Sequence, residues 1–169
     1  MYKDMISSTQ QLLVIGSIFL LSYLILTFHR SNTSQLDATF NNEAIINATT
    51  AGQSLLDEIQ SRAFDEFTVT KSAEKADSLT SSNSLGTESG ESNSTSFDDI
   101  DDYDGFTRTD SVGELGNFNL LVDVYYITYP GAVKTNSKSF SKQIDVFVTN
   151  SYLASTFTDT IKLQQIVSY

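Results

Sequence analysis

The ten residues FDDIDDYDGF, Phe97 to Phe106, concentrate more reactive side chains than any other stretch of the chain. Asp98, Asp99, Asp101, Asp102 and Asp104 crowd into this run, and carboxylates at such density must be solvated, paired or metal-bound. Hard oxygen donors suit Ca2+, so these five are candidate Ca2+ ligands. The spacing is not that of an EF-hand: its D-x-D-x-D-G register would need an acid at Ile100, and no glutamate closes the loop at the required distance. The plainer alternative is an acidic turn, in which Gly105 provides a permissive backbone position. Catalytic carboxylates need surroundings that push their pKa values apart, and the local sequence offers no such pocket.

The rest of the inventory narrows the chemistry further. Cysteine is absent and His29 is the single histidine. Thiol nucleophiles, disulfides and multi-histidine metal sites are therefore excluded. No nucleophile–base pair is evident, so the expectation is a non-enzyme with no catalytic residue and no cofactor beyond Ca2+. The net charge of −11 and a pI near 4.2 exclude nucleic acid as a partner, because binding it requires a basic footprint. They fit a solvated, acidic exterior instead.

A long helix must position everything else. From Ile6 to about Phe64 no proline interrupts the chain, and one helix over that stretch would be ~88 Å long. Its first half is almost wholly apolar. Leu12, Leu13, Val14, Ile15, Ile18, Phe19, Leu20, Leu21, Leu24, Ile25, Leu26 and Phe28 make a run just long enough to cross a bilayer. Ser17 and Ser22 can return their hydroxyls to carbonyls one turn back. No alanine precedes Ala38, so a small-x-small cleavage site is missing, and the run is expected to be an uncleaved anchor. Lys3 and Asp4 flank one side and His29 and Arg30 the other, which leaves the charge rule for orientation nearly balanced.

After Arg30 the composition changes. Phe40, Ala44, Ala48, Ala51, Leu55 and Ile59 follow i, i+3 and i+4 spacing and share one face, with Asn42, Glu43, Thr50, Gln53, Asp57 and Gln60 opposite. Glu58 and Arg62, four apart with the acid first, are placed for a surface ion pair. Ile46 and Phe64 fall off the apolar face, as edge packing or as contacts with a neighbouring subunit. Lys71 to Ser96 is rich in Ser, Glu and Gly and poor in hydrophobics, and it reads as a long surface loop.

The final third alternates with period two. Phe118, Leu120, Val122 and Val124 predict the inner face of one strand; Phe140, Ile144, Val146 and Val148 that of a second. Thr160 to Tyr169 gives a third, and Phe67 to Thr70 and Gly105 to Thr109 are shorter candidates. Tyr125, Tyr126, Tyr129, Tyr152 and Tyr169 read as strand formers that bury a ring and wet a hydroxyl. An antiparallel sheet needs an apolar partner for its inner face, and the amphipathic half-helix is the partner at hand. Helix–sheet packing is thus expected to join the face from Phe40 to Ile59 with Val122, Val124, Ile144, Val146 and Val148.

The predicted fold is α+β, with one long N-terminal helix, apolar then amphipathic, against a C-terminal antiparallel sheet of three to five strands. Its segments are 1–30, a membrane or filament-core helix; 31–66, the amphipathic continuation; 67–104, the Ser-rich loop and acidic run; and 105–169, the sheet.

This order of parts resembles type IV pilins and the pseudopilins of type II secretion. The stretches ATTAGQSLLDEIQSRAFDE and FDDIDDYDGF, with the strands VDVYYITY and KSFSKQIDVFVTNSYL, look similar to minor pilins of the mannose-sensitive haemagglutinin type. Those families carry a basic leader ending in Gly and a Glu at the fifth position of the segment that follows. Here the start is MYKDMISSTQQ, without that Gly and with Met5 at position five, and Asp4 is the nearest carboxylate. The resemblance implies a subunit of an extracellular pilus-like filament, inserted in the inner membrane before assembly. Its partners would be copies of itself, the membrane, and pilus or secretion assembly machinery. Alternatives are a minor pilin or pseudopilin of such a machine, or a single-pass surface ectodomain with an adhesive or ligand-binding role.

Overall fold

The computed structural model describes residues 8–153 and 159–169. The start of the chain, with Lys3, Asp4, Met5 and Ile6, lies outside the described residues. One helix, α1, runs over Ser8–Gln60, and a one-and-a-half-turn helix, α2, over Glu66–Thr70. The strands are β1 (Thr107–Val112), β2 (Gly116–Thr128), β3 (Val133–Lys134), β4 (Ser141–Thr149) and β5 (Thr160–Ser168). These five strands pair antiparallel, in the order β1-β2-β4-β5, with the short β3 against the far end of β2. The α+β architecture expected from the sequence is the observed one.

The chain divides into two compact units, Met1–Phe40 and Asn41–Tyr169. The division falls within α1, further along than the change of composition at Arg30. In the first unit, every apolar side chain named above from Leu12 to Phe28 is more than half exposed. Ser17 Oγ donates to the Val14 carbonyl at 2.8 Å and Thr27 Oγ1 to the Tyr23 carbonyl at 2.8 Å, so these hydroxyls are satisfied without water.

In the second unit the helix supplies one layer of a two-layer core. Ala44, Ala48, Gly52, Leu55, Leu56 and Ile59 are buried, opposite Phe118, Leu120, Val122, Val124 and Tyr126 of β2 and Ile144, Val146 and Val148 of β4. The inward residues keep one parity along each strand, as the pleat requires. Two details of the predicted helix face change. Ala51 is half-buried at the margin, and Phe40, also half-buried, belongs to the first unit. Gly52 and Leu56 occupy the interior instead. The i, i+4 series from Ala44 and Ala48 lands on Gly52 and Leu56, whereas the expected face steps by three to Ala51, because glycine carries no apolar side chain to mark the position.

Gly52 marks a close approach of helix and sheet. A Cβ there would stand 2.5 Å from Leu163 Cδ1 and 3.2 Å from Val148 Cγ2. Gly in a helix interior costs about 1 kcal/mol relative to Ala, so close approach is the reason for its presence. Gly52→Leu should destabilise the unit by roughly 1–3 kcal/mol through overpacking. A thermal melt checks it, and an unchanged or raised midpoint would disprove the close approach.

Two local predictions fail for identifiable reasons. Phe67 to Thr70 has strand-forming residues but is helical, because Asp65 caps it. The Asp65 side chain accepts from Phe67 N at 3.2 Å, and Thr68 Oγ1 accepts from Asp65 N at 3.0 Å. Glu58 does not take Arg62 as its partner; it binds Arg108 of β1 at 3.3 Å and the Tyr103 hydroxyl at 2.9 Å. A partner fixed by the fold displaces the one offered by helix spacing.

Candidate functional site

The segment after α1 is held against the acidic run by backbone bonds. Ala63 N donates to Asp98 O at 3.1 Å, and Ile100 N donates to Ala63 O at 3.0 Å. A 3-10 turn follows over Asp101–Tyr103. Phe97, Tyr103 and Phe106 stack edge to face beneath it, with ring centroids 5.0–5.6 Å apart. Gly105, at φ +75°, then lets the chain enter the sheet, its N–H on the Val122 carbonyl at 3.0 Å. This apolar footing turns the run inward. Asp99, Asp101 and Asp102 are buried, so the solvated acidic turn weighed from the sequence is not what forms.

The five aspartates take different partners in the fold. Asp101 Oδ1 lies 2.5 Å from Lys142 Nζ. Asp102 Oδ2 accepts from the N–H groups of Asp98 and Asp99 at 2.9 and 3.2 Å, and Asp99 Oδ1 from Asp102 N at 3.1 Å. Asp104 Oδ1 accepts from Val124 N at 3.0 Å, and Asp98 is exposed. Backbone donors and a lysine thus take one oxygen from each of Asp99, Asp101, Asp102 and Asp104. Among the described residues the carboxylates that do converge are Glu88, Glu91 and Asp102, within 4.8 Å of one another. Glu88 and Glu91 come from the Ser-rich loop and were no part of the expected set.

Lys142 is the centre of the site, and it is fully buried. It sits on β4 with the same parity as Ile144, Val146 and Val148, so the strand itself points it inward. Its three N–H donors go to Phe64 O at 2.8 Å, Asp65 Oδ2 at 2.9 Å and Asp101 Oδ1. The rings of Phe64 and Tyr126 flank the nitrogen at 4.5 and 5.0 Å. Asp65 also accepts from Thr80 N at 3.0 Å and from the Tyr126 hydroxyl at 3.0 Å. One carboxylate therefore caps α2, ties down the Ser-rich loop and pairs with the sheet.

No family model, curated protein or solved structure matches this chain. The site must speak through its own electrostatics.

Those electrostatics separate the carboxylates. Burial alone would raise Asp65, but the bond to Lys142 and its charge, with Thr80 and Tyr126 donating, hold it below the ordinary range. Burial pushes Asp101 up to about 7 despite Lys142, with the Asp65 charge adding to the rise. Asp99 is pushed up to about 8 by burial and by the charge of Asp101. Asp99 Oδ2 and Asp101 Oδ2 are buried without a hydrogen-bond partner, which suits acids that hold a proton. Tyr126 rises too, through burial and the charge of Asp65. The surroundings thus do what the local sequence gave no sign of: they put an ionised and a protonating carboxylate on either side of one amine.

Stability should follow pH accordingly. A carboxyl whose folded pKa lies above its unfolded value favours folding below the unfolded pKa, and that advantage is lost as pH rises to the folded pKa. For Asp99 the window runs from about 4 to about 8. Asp65 has the opposite sign: its contribution is present above the unfolded pKa and vanishes as pH falls through the lowered one. Asp99→Asn keeps the shape of the protonated acid. It should leave the melting midpoint unchanged near pH 4 and raise it at pH 8 by the equivalent of a few kcal/mol, an order-of-magnitude figure. Equal midpoints for variant and wild type at pH 8 would show that the fold does not raise the Asp99 pKa.

Sequence reasoning passed over Lys142 and Asp65. The signal for the first was its inward parity: a lysine at a core position of a strand requires a buried carboxylate. For the second it was an acid three residues before Thr68, at a helix start.

Proposed function

We propose that this chain is a structural subunit of an extracellular pilus-like filament, inserted in the inner membrane before assembly. The observation that carries the reading is that a single helix, Ser8–Gln60, has two solvents written into it. Residues from Leu12 to Phe28 expose their apolar side chains, and the helix is long and apolar enough there to cross a bilayer. Residues from Ala44 to Ile59 are instead the missing layer of the sheet's core. An apolar helix that leaves lipid must be covered again, and identical neighbours can cover it. Covering twelve such side chains is worth on the order of 20 kcal/mol before the entropy of association is subtracted.

In this reading the sheet and the Ser-rich loop form the outer layer. Ile46, a large hydrophobic that stays well exposed beside the buried helix face, adds a contact between subunits. The order of parts, apolar helix then antiparallel sheet, supports a pilin-like subunit, and the further partners are pilus or secretion assembly machinery. The resemblance noted in the sequence supports the same reading.

The test is to remove Met1 to Arg30. The remaining chain should be a soluble monomer in sedimentation, with its melt intact. If the truncated chain still polymerised into the same filament, the apolar segment would not be the assembly surface.

A further inference from the structure

Lys142 Nζ, Asp101 and Asp65 form a closed reactive set that no external substrate can reach, since all three side chains are wholly buried. Whatever chemistry they perform is performed on the chain itself. The geometry points to an intramolecular amide bond between Lys142 Nζ and the side-chain Cγ of Asp101, formed after folding, with Asp65 relaying the proton.

Four observations carry this. Nζ already rests on the carboxyl group it would attack, donating to its Oδ1. A second carboxylate, Asp65, touches the same nitrogen at 2.9 Å and is fixed by Thr80 and Tyr126, so it can take a proton from Nζ without moving. Asp101 Oδ2 has no partner, so nothing anchors that oxygen against departure. The rings of Phe64 and Tyr126 close over the nitrogen and exclude the water that would reverse the reaction. Holding two reactants in this way replaces a bimolecular encounter with an effective concentration of roughly 10⁵–10⁸ M.

The step balances without a co-reactant. From the ion pair, the ammonium passes one proton by way of Asp65 to the Asp101 carboxylate, and the freed amine attacks Cγ. The nitrogen then gives up a second proton, which Asp65 delivers to the departing hydroxyl. Two N–H bonds and one C–O bond break; one C–N bond and the two O–H bonds of a water molecule form. Asp65 ends as a carboxylate, nothing is oxidised or reduced, and water is the leaving product. The difference in proton affinity between Asp65 and Asp101 described above runs in the direction this relay needs. An ion pair buried from water is costly to keep, whereas the amide that replaces it is neutral. The product joins the turn at Asp101–Tyr103 covalently to β4 and closes the long chain segment between them.

Intact mass spectrometry of the full-length chain, purified in detergent and then denatured, tests this. The wild-type mass should be lower than the sequence mass by one water. Trypsin should release a branched peptide joining residues 76–108 to 139–162, with cleavage blocked at Lys142. Lys142→Arg should keep the full mass, and Asp65→Asn should keep it too while retaining a folded circular dichroism spectrum. A wild-type chain at full mass overturns the proposal. So does a water loss confined to linear peptide 76–108, which would mark cyclisation at Asp104-Gly105. A bond that forms in Asp65→Asn as fast as in wild type would overturn the role given to Asp65.

Discussion

Replacing Lys142 by methionine should destabilise the unit Asn41–Tyr169 by roughly 3–5 kcal/mol, the range found when one member of a buried ion pair is removed. Methionine fills most of the volume, so the loss is electrostatic rather than a cavity. It leaves Asp65 and Asp101 facing each other without a cation, and it strips the Phe64 carbonyl of its donor. Small domains are stable by only about 5–15 kcal/mol, so a large share of the unit's stability is at stake. The effect should be non-additive. Asp65→Asn and Asp101→Asn, each harmful with Lys142 present, should restore part of the stability lost in Lys142→Met, because they remove the uncompensated charge. Urea melts of the single and combined variants check this. If the triple variant were no more stable than Lys142→Met alone, the network would not act as one unit.

The second large effect belongs to the first unit. Leu20 lies near the middle of the apolar run and is well exposed. Leu20→Arg should reduce filament yield at least roughly tenfold, since an arginine at the centre of a membrane helix costs about 2.5–3.5 kcal/mol and the cost recurs in every subunit. The melt of the sheet-bearing unit should not change. Counting filaments per cell by electron microscopy, beside the melt of the purified chain, separates the two outcomes. A variant with normal filaments would mean that the apolar face is not buried on assembly.

Much of the fold can be read from the sequence because it depends on periodicity. The parity of Phe118, Leu120, Val122 and Val124 and that of Ile144, Val146 and Val148 marks the inner face of the sheet, and both series are buried. Ala44, Ala48, Leu55 and Ile59 mark the helix face in the same way. The site resists such reading because its contacts are remote. Asp101 and Lys142 are 41 positions apart and Asp65 and Lys142 are 77 apart, so neither pairing leaves a local pattern. Local composition suggests a solvated acidic run, whereas the aromatic footing of Phe97, Tyr103 and Phe106 and the bridge to Ala63 pull it inside. Tyr126 illustrates the same limit. Its ring is buried as expected, but its hydroxyl is not wetted; its single O–H lies between two acceptors, Asp65 Oδ2 at 3.0 Å and the Thr80 carbonyl at 2.8 Å.

Lys142 and the long helix answer different questions. The buried network holds the acidic run and the start of α2 to the sheet. The exposed apolar segment is the surface that the proposed filament would bury. The most direct measurement is side-chain-resolution imaging of the surface appendages of cells that express the full chain. The account predicts a helical filament whose core is built from the segment Leu12 to Phe28 of neighbouring subunits, with the sheets outside. Appendages that lack the chain, or a filament in which that segment faces solvent, would contradict it.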